Sequence, residues 1–203
     1  MAKRRVDLEV SPKDKAIEAV KVGDKEEALK YMEELYQLPK GYHDRANEII
    51  AFFLDFVANK LGEEAVEEAW RGITEAVFKD RWISVFKTMT PEEIARYFAL
   101  VHISHYSDFY IEEDEEKLVV YISYCGTGGR MKKERKGRSV SKAYPWAYDQ
   151  KEVSYYCAHE SIFNKMFGEW GYDRIKFEYG RQFDEEGKPA GGVCRYIIYK
   201  DKP

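Results

Sequence analysis

The period of the apolar residues changes once along this chain, near His105, and that change restricts the fold more than any other feature. Before it, apolar side chains recur at helical spacing. Ser11 and Pro12 form an N-cap and first-turn pair for a helix that stops at Gly23. Asp24 caps a second, with Ala28, Leu29, Met32, Leu35 and Tyr36 as one stripe, and Pro39 and Gly41 are expected to break it. A third runs from about His43 to Leu61 with Ile49, Ile50, Phe53, Leu54, Phe56 and Val57 inward, ending at Gly62. Glu63 to about Phe86 is again helical, and Thr90 with Pro91 starts another helix.

After His105 the period falls to two. D-F-Y-I-E-E-D-E-E-K-L-V-V-Y-I-S-Y-C reads as two strands around an acidic turn whose carboxylates, Glu112 to Glu116, face solvent. Arg174 to Phe183 and Cys194 to Lys200 are two further alternating runs, joined by D-E-E-G-K-P-A-G-G. A short helix from about Ser154 to Trp170 lies between the pairs. The pattern predicts an α+β fold: a helical region over 1–106 packed on an antiparallel sheet of about four strands over 107–203, in one compact domain.

With 203 residues, 44% of them hydrophobic and 34% charged, the chain has the composition of a folded, non-membrane protein. No apolar run approaches the roughly 20 residues that span a bilayer, and the N-terminus lacks the apolar core of a signal peptide. Cytoplasm is the expected compartment. A net charge of −4 argues against general nucleic-acid binding. Three cysteines are an odd set for a disulfide framework, which leaves free thiols, a redox pair or metal ligands.

Each cysteine falls at a junction of the second half. Cys125 ends the second strand in Y-C-G-T-G-G-R-M, Cys157 lies in S-Y-Y-C-A-H-E-S, and Cys194 opens the last strand in G-G-V-C-R-Y. Two strand ends and one helix start can converge on one point. Around Cys125, Gly126, Gly128 and Gly129 could form an anion-binding nest next to Arg130, or simply a turn. The loop is neither a Walker loop nor a dinucleotide fingerprint. Arg130 to Lys142 is a basic stretch open to three readings: a solvated loop, steering of an anionic substrate, or docking of an acidic partner or nucleic acid. Trp146, in A-Y-P-W-A-Y, is a candidate pocket wall or core residue.

Cys157 and His159 are two residues apart, so on a helix they point in different directions. If Ser154 is the N-cap, Cys157 is the third helical residue, where the dipole favours a thiolate. If the helix starts later, Cys157 and His159 share a face and could chelate. Cys125, Cys157, Cys194 and His159 together make a donor set for zinc or an iron–sulfur cluster, although no C-x-x-C clip is present. His102 and His105 stand at i and i+3, close enough on a helix to share a ligand and placed to face the cleft of Cys125, and His43 sits beside Asp44; helix-end hydrogen bonding is the alternative for each. Trp70, Phe78, Trp82 and Phe86 are either core or the face of a homodimer.

The segments C-G-T-G-G-R, A-Y-P-W, Y-Y-C-A-H and G-G-V-C-R-Y resemble a group of uncharacterised bacterial and archaeal proteins with a helical N-terminal half. The glycine-then-cysteine entry to the last strand is similar to the L-2-amino-thiazoline-4-carboxylic acid hydrolase-like family. That resemblance implies hydrolysis of a C–N bond in a small cyclic amidine. Glu160 departs from it, standing where another cysteine is expected in related chains.

These observations lead to an expected enzyme that hydrolyses a C–N bond of a small polar anionic substrate. Cys157 or Cys125 would be the nucleophile and His159 the base. Gly128, Gly129, Arg130, Trp146 and Tyr156 would bind the substrate. The alternatives are a zinc- or iron–sulfur-binding sensor or accessory protein using Cys125, Cys157, His159 and Cys194, and a non-catalytic small-molecule-binding module.

Overall fold

The computed structural model describes residues 10–201. The chain divides into two compact units at Arg45/Ala46, and this boundary falls inside a helix. The N-terminal unit holds α1 (Pro12–Lys21) and the first part of α2 (Lys25–Leu61). Ser11 caps α1 as expected, its hydroxyl accepting the Asp14 amide, and Ala16, Ala19 and Ala28 are buried. His43 Nδ1 lies 3.0 Å from Asp44 Oδ1 in this unit.

The expected break at Pro39 and Gly41 does not occur: α2 is one helix of 37 residues. Pro39 removes an amide donor inside the helix, and Lys40 reaches Asp44 across the following turn at 2.6 Å. That continuity also corrects the inward stripes. In the C-terminal unit the buried side of α2 is Asn47, Ala51 and Leu54, at i, i+4 and i+7. Ile49, Phe53 and Phe56 lie on other faces and are exposed, as are Leu29, Met32, Leu35 and Tyr36 earlier in the helix.

The C-terminal unit continues with α3 (Glu64–Ile73), a π-helical segment (Thr74–Phe78) and α4 (Lys79–Phe86). Next comes α5 (Pro91–Ser104), which opens on a capping box between Thr90 and Glu93. Then β1 (Asp108–Glu113) and β2 (Lys117–Tyr124) form the hairpin expected from the sequence, with Glu112 to Glu116 exposed. A six-residue helix, α6 (Gly128–Lys133), replaces the expected open glycine turn. After it come α7 (Ala158–Glu169), β3 (Ile175–Glu178) and β4 (Cys194–Tyr199). The four strands form one antiparallel sheet in the order β1-β2-β4-β3. The fold is α+β.

β3 is shorter than its alternating sequence, and just beyond it Gly180 lies against the Val193 backbone with no room for a Cβ. On the inner face, Leu118, Val120 and Ile122 of β2 pack with Tyr196 and Ile198 of β4 and Phe177 of β3. α7 closes two cores at once. Phe163 and Phe167 join the sheet, α4 and α5, while Ala158, Ile162 and Met166 pack with Ala51, Leu54, Val66 and Trp70. Trp70, Trp82 and Phe86 are therefore core residues. Among the described residues, no helix is long and apolar enough to cross a membrane.

Candidate functional site

The three cysteine-bearing junctions meet. Cys125 at the end of β2, Cys157 at the start of α7 and Cys194 at the start of β4 line one small cavity of about 30 Å³. Antiparallel pairing of β2 with β4, in which Ile122 faces Cys194, brings two of these junctions side by side. α7 packs on β3 and delivers the third. His102, His159, Glu160, Gly128, Gly129 and Tyr156 line the same cavity. Most of the expected site residues are thus brought together.

The start of α7 explains how Cys157 and His159 reach one place. Ser154 caps the first turn, its hydroxyl accepting the Cys157 amide at 3.0 Å, but regular helix begins only at Ala158. The cavity wraps this irregular first turn, so it touches both side chains. The His159 Nδ1 lies against the Tyr156 carbonyl, an acceptor, so in the neutral ring Nδ1 carries the proton and Nε2 keeps its lone pair. Trp70 and Phe163 hold the ring, with centroids 5.0 Å away on each side.

The close packing leaves no room for a side chain at several glycines. A Cβ on Gly126 would collide with the His105 carbonyl, and one on Gly128 would collide with the Cys157 sulfur. Cys125 is fixed by its amide on Gln182 Oε1 (2.8 Å) and by its sulfur 3.1 Å from Thr127 Oγ1. Cys194 Sγ lies 3.4 Å from both the amide and the carbonyl of Gly180. Burial pushes the Cys157 thiol up to about 12, with Cys125 nearby adding to it, and burial raises Cys194 well above the usual thiol range. Both sulfurs are protonated at neutral pH. The expected helix-start thiolate at Cys157 is absent because desolvation exceeds what the first-turn amides contribute.

Arg130 and Trp146 are not in the lining. The Arg130 guanidinium is directed to Glu48, Glu134 and the Gly126 carbonyl, and Trp146 is buried in the second core with its indole nitrogen unpartnered. The Gly126 amide, expected in an anion nest, donates to Ser107 Oγ. Lys132 lines the cavity, but its ammonium is held by Glu185, Ser139 Oγ and the Glu152 carbonyl. Part of the basic stretch is thus tied down within the chain: Lys136 pairs with Glu48, the Arg138 amide donates to Asp55, and the Arg138 guanidinium donates to Asn59.

One central residue escaped the sequence reading, and a second was anticipated only in part. Glu160 accepts hydrogen bonds from the Tyr148 and Tyr196 hydroxyls, 12 and 36 residues away. Tyr148 is set up for this by a left-handed backbone (φ 59°) and by its amide donating to Ser161 Oγ. Nothing local in H-E-S marks Glu160, because both partners are remote. His102, seen only as one of a pair, is buried with neither ring nitrogen partnered.

His102 carries a pH signature. Burial lowers its pKa from 6.5 to about 3, with His105 contributing. Between those values the unfolded chain holds a proton that the folded chain excludes, so stability rises with pH there and levels off above. Acidification from pH 7 to pH 5 should cost about 2 kcal/mol through this ring alone. Urea unfolding of His102→Phe should lack that increment; an equal loss in both proteins would refute the assignment.

Beyond the cavity lies an apolar chamber of about 440 Å³. His102, Cys125, Thr127, Tyr156, His159, Glu160 and Tyr196 border both spaces. Cys157 and Cys194 border the small cavity alone. Cys125 and His159 therefore stand at the junction. Among the described residues, no group of three or more His, Cys, Asp or Glu side chains is arranged to hold a metal ion. No family model, curated protein or solved structure matches this chain.

Proposed function

We propose that this protein is a small-molecule enzyme in which Cys125 attacks the substrate and His159 moves the proton. The observation that carries this reading is their shared position at the junction of the thiol-lined cavity and the apolar chamber. A substrate lying in the chamber would meet Cys125, whereas Cys157 and Cys194 border only the small cavity and would act as S–H donors.

For a C–N bond the steps balance as follows. The Cys125 thiol loses its proton to His159 Nε2, and sulfur bonds to the electrophilic carbon. The C–N bond breaks as His159 returns the proton to the departing nitrogen, and water then cleaves the sulfur–carbon bond. Glu160, with its two tyrosines, would orient the nitrogen. The charged groups favour an uncharged substrate over an anionic one, because Lys132 and Arg130 are already engaged by carboxylates.

The second reading is zinc or iron–sulfur binding: its three thiols line one cavity, but they are not grouped as a metal site among the described residues. Metal analysis of anaerobically purified protein separates the two. The enzyme reading predicts metal-free protein that forms a covalent Cys125 adduct with a reactive amide or amidine, detected by intact mass. Stoichiometric metal that is lost in Cys125→Ser and Cys157→Ser would overturn it.

A further inference from the structure

The ligand for this site is written in the chamber walls and in one unsatisfied ring. The chamber is within the range of about 300–1,000 Å³ typical of small-molecule pockets. Its sides are Trp70, Trp82, Phe98, Val101, Phe163 and Phe177. Water filling such a space would find few partners there. The π-helical segment contributes Val77 and Phe78, and Val77 is exposed at the rim. A π-helical turn interrupts the regular ladder, and such turns often occur at functional sites.

His102 borders both the chamber and the thiol cavity. It is 4% exposed, and neither Nδ1 nor Nε2 has a partner. Buried polar groups in native proteins are normally satisfied, so a ring unpartnered on both nitrogens at a cavity wall points to a ligand group that completes it, reached by a small shift of the wall because both nitrogens are enclosed. A neutral imidazole offers one donor and one acceptor. The complementary head therefore has both an acceptor and a donor, as in a carboxamide or a hydroxyl.

The local charges exclude a better-matched ion. Lys132, the cation of the cavity wall, is held by Glu185, which leaves little to attract a carboxylate. Glu160 already receives two phenolic donors, which weakens its pull on an ammonium. From these observations we infer that the substrate is an uncharged amphiphile, with its aliphatic or aromatic body in the chamber and its hydrogen-bonding head between His102 and Cys125. This inference rests on the reading of the site as a small-molecule enzyme and names the class of molecule that the enzyme takes.

The test uses the full chain with Cys125→Ser, so that binding is read without chemistry. Straight-chain amides of six, eight and ten carbons would be titrated by calorimetry and by tryptophan fluorescence, since Trp70 and Trp82 line the chamber. Octan-1-ol, octanoate and octylamine serve as matched heads. Affinity should rise about fourfold per added methylene, and octanamide and octan-1-ol should bind at least tenfold more tightly than octanoate or octylamine. Val77→Trp, a substitution at an exposed rim position, should weaken every member at least tenfold. His102→Phe should remove the head-group preference while keeping the chain-length dependence. Length-independent binding, tighter binding of either ion, or no binding would overturn the inference. Should binding fail while unmodified protein still forms a Cys125 adduct with a short reactive amide, the ligand class is wrong and the enzyme reading stands. If the amides bind as described but no adduct forms, it is the enzyme reading that fails.

Discussion

Gly126→Ala should destabilise the protein by about 3 kcal/mol, near the upper range for inserting a methyl where there is no room. The added carbon would be driven into the His105 carbonyl oxygen, and it would also come within 2.7 Å of the Tyr106 carbonyl oxygen and 2.9 Å of its carbon. All three are backbone atoms, so no rotamer change relieves the clash. The surrounding chain is also fixed. The Gly126 amide donates to Ser107 Oγ, and Asp108 pairs with Tyr124 one step earlier in the sheet. Moving the α5–β1 connection would therefore disturb the first rung of β1–β2. Gly72→Ala is the control: it lies in α3 with open space around it and should stabilise by about 0.5–1 kcal/mol. Urea denaturation of both variants checks the pair, and equal midpoints would show that the site backbone is looser than described.

Cys157 should react with iodoacetamide roughly 1000-fold more slowly at pH 8 than an exposed thiol. Its pKa is pushed from 9 up to about 12, first by burial and then by Cys125 nearby, against a smaller opposing effect of Ser154. Only the thiolate attacks, so three pH units of depressed ionisation translate into that factor. The rate should climb with pH throughout the stable range instead of levelling near 9. In denaturant, where burial is lost, all three cysteines should react alike. A fast native reaction at Cys157 would show that its sulfur is solvated and that the small cavity is open on that side.

The helix caps at Ser11 and Thr90 were legible in the sequence because capping depends on residues three apart. The switch of period near His105 located the sheet for the same reason: alternation is a local property. Convergence of the cysteines could be anticipated from their junction positions, since strand ends and helix starts collect at the edges of layers. What stayed hidden depended on distant partners. Pro39 reads as a break, yet α2 continues, and its buried face is then set by Asn47, Ala51 and Leu54 rather than by the most apolar residues. Arg130 reads as an anion binder until Glu48, 82 residues earlier, takes its guanidinium. Glu160 and His102 look like ordinary surface and helix-end residues. The first acquires its role from Tyr148 and Tyr196, and the second from the absence of any partner for its ring. The chamber itself comes from how α3, the π-helical segment, α5 and α7 are spaced, which no local pattern encodes.

In the proposed enzyme Cys125 reacts where the small cavity meets the chamber, while Cys157 and Cys194 border the small cavity alone. The most direct test of this assignment is a time course of limiting iodoacetamide at pH 7.5, with each cysteine followed by peptide mass spectrometry. Cys125 should be modified first and alone while the protein remains native, leaving Cys157 and Cys194 unmodified. Modification of Cys157 or Cys194 as fast as Cys125, or an inert Cys125 over a period in which an exposed thiol reacts to completion, would contradict it.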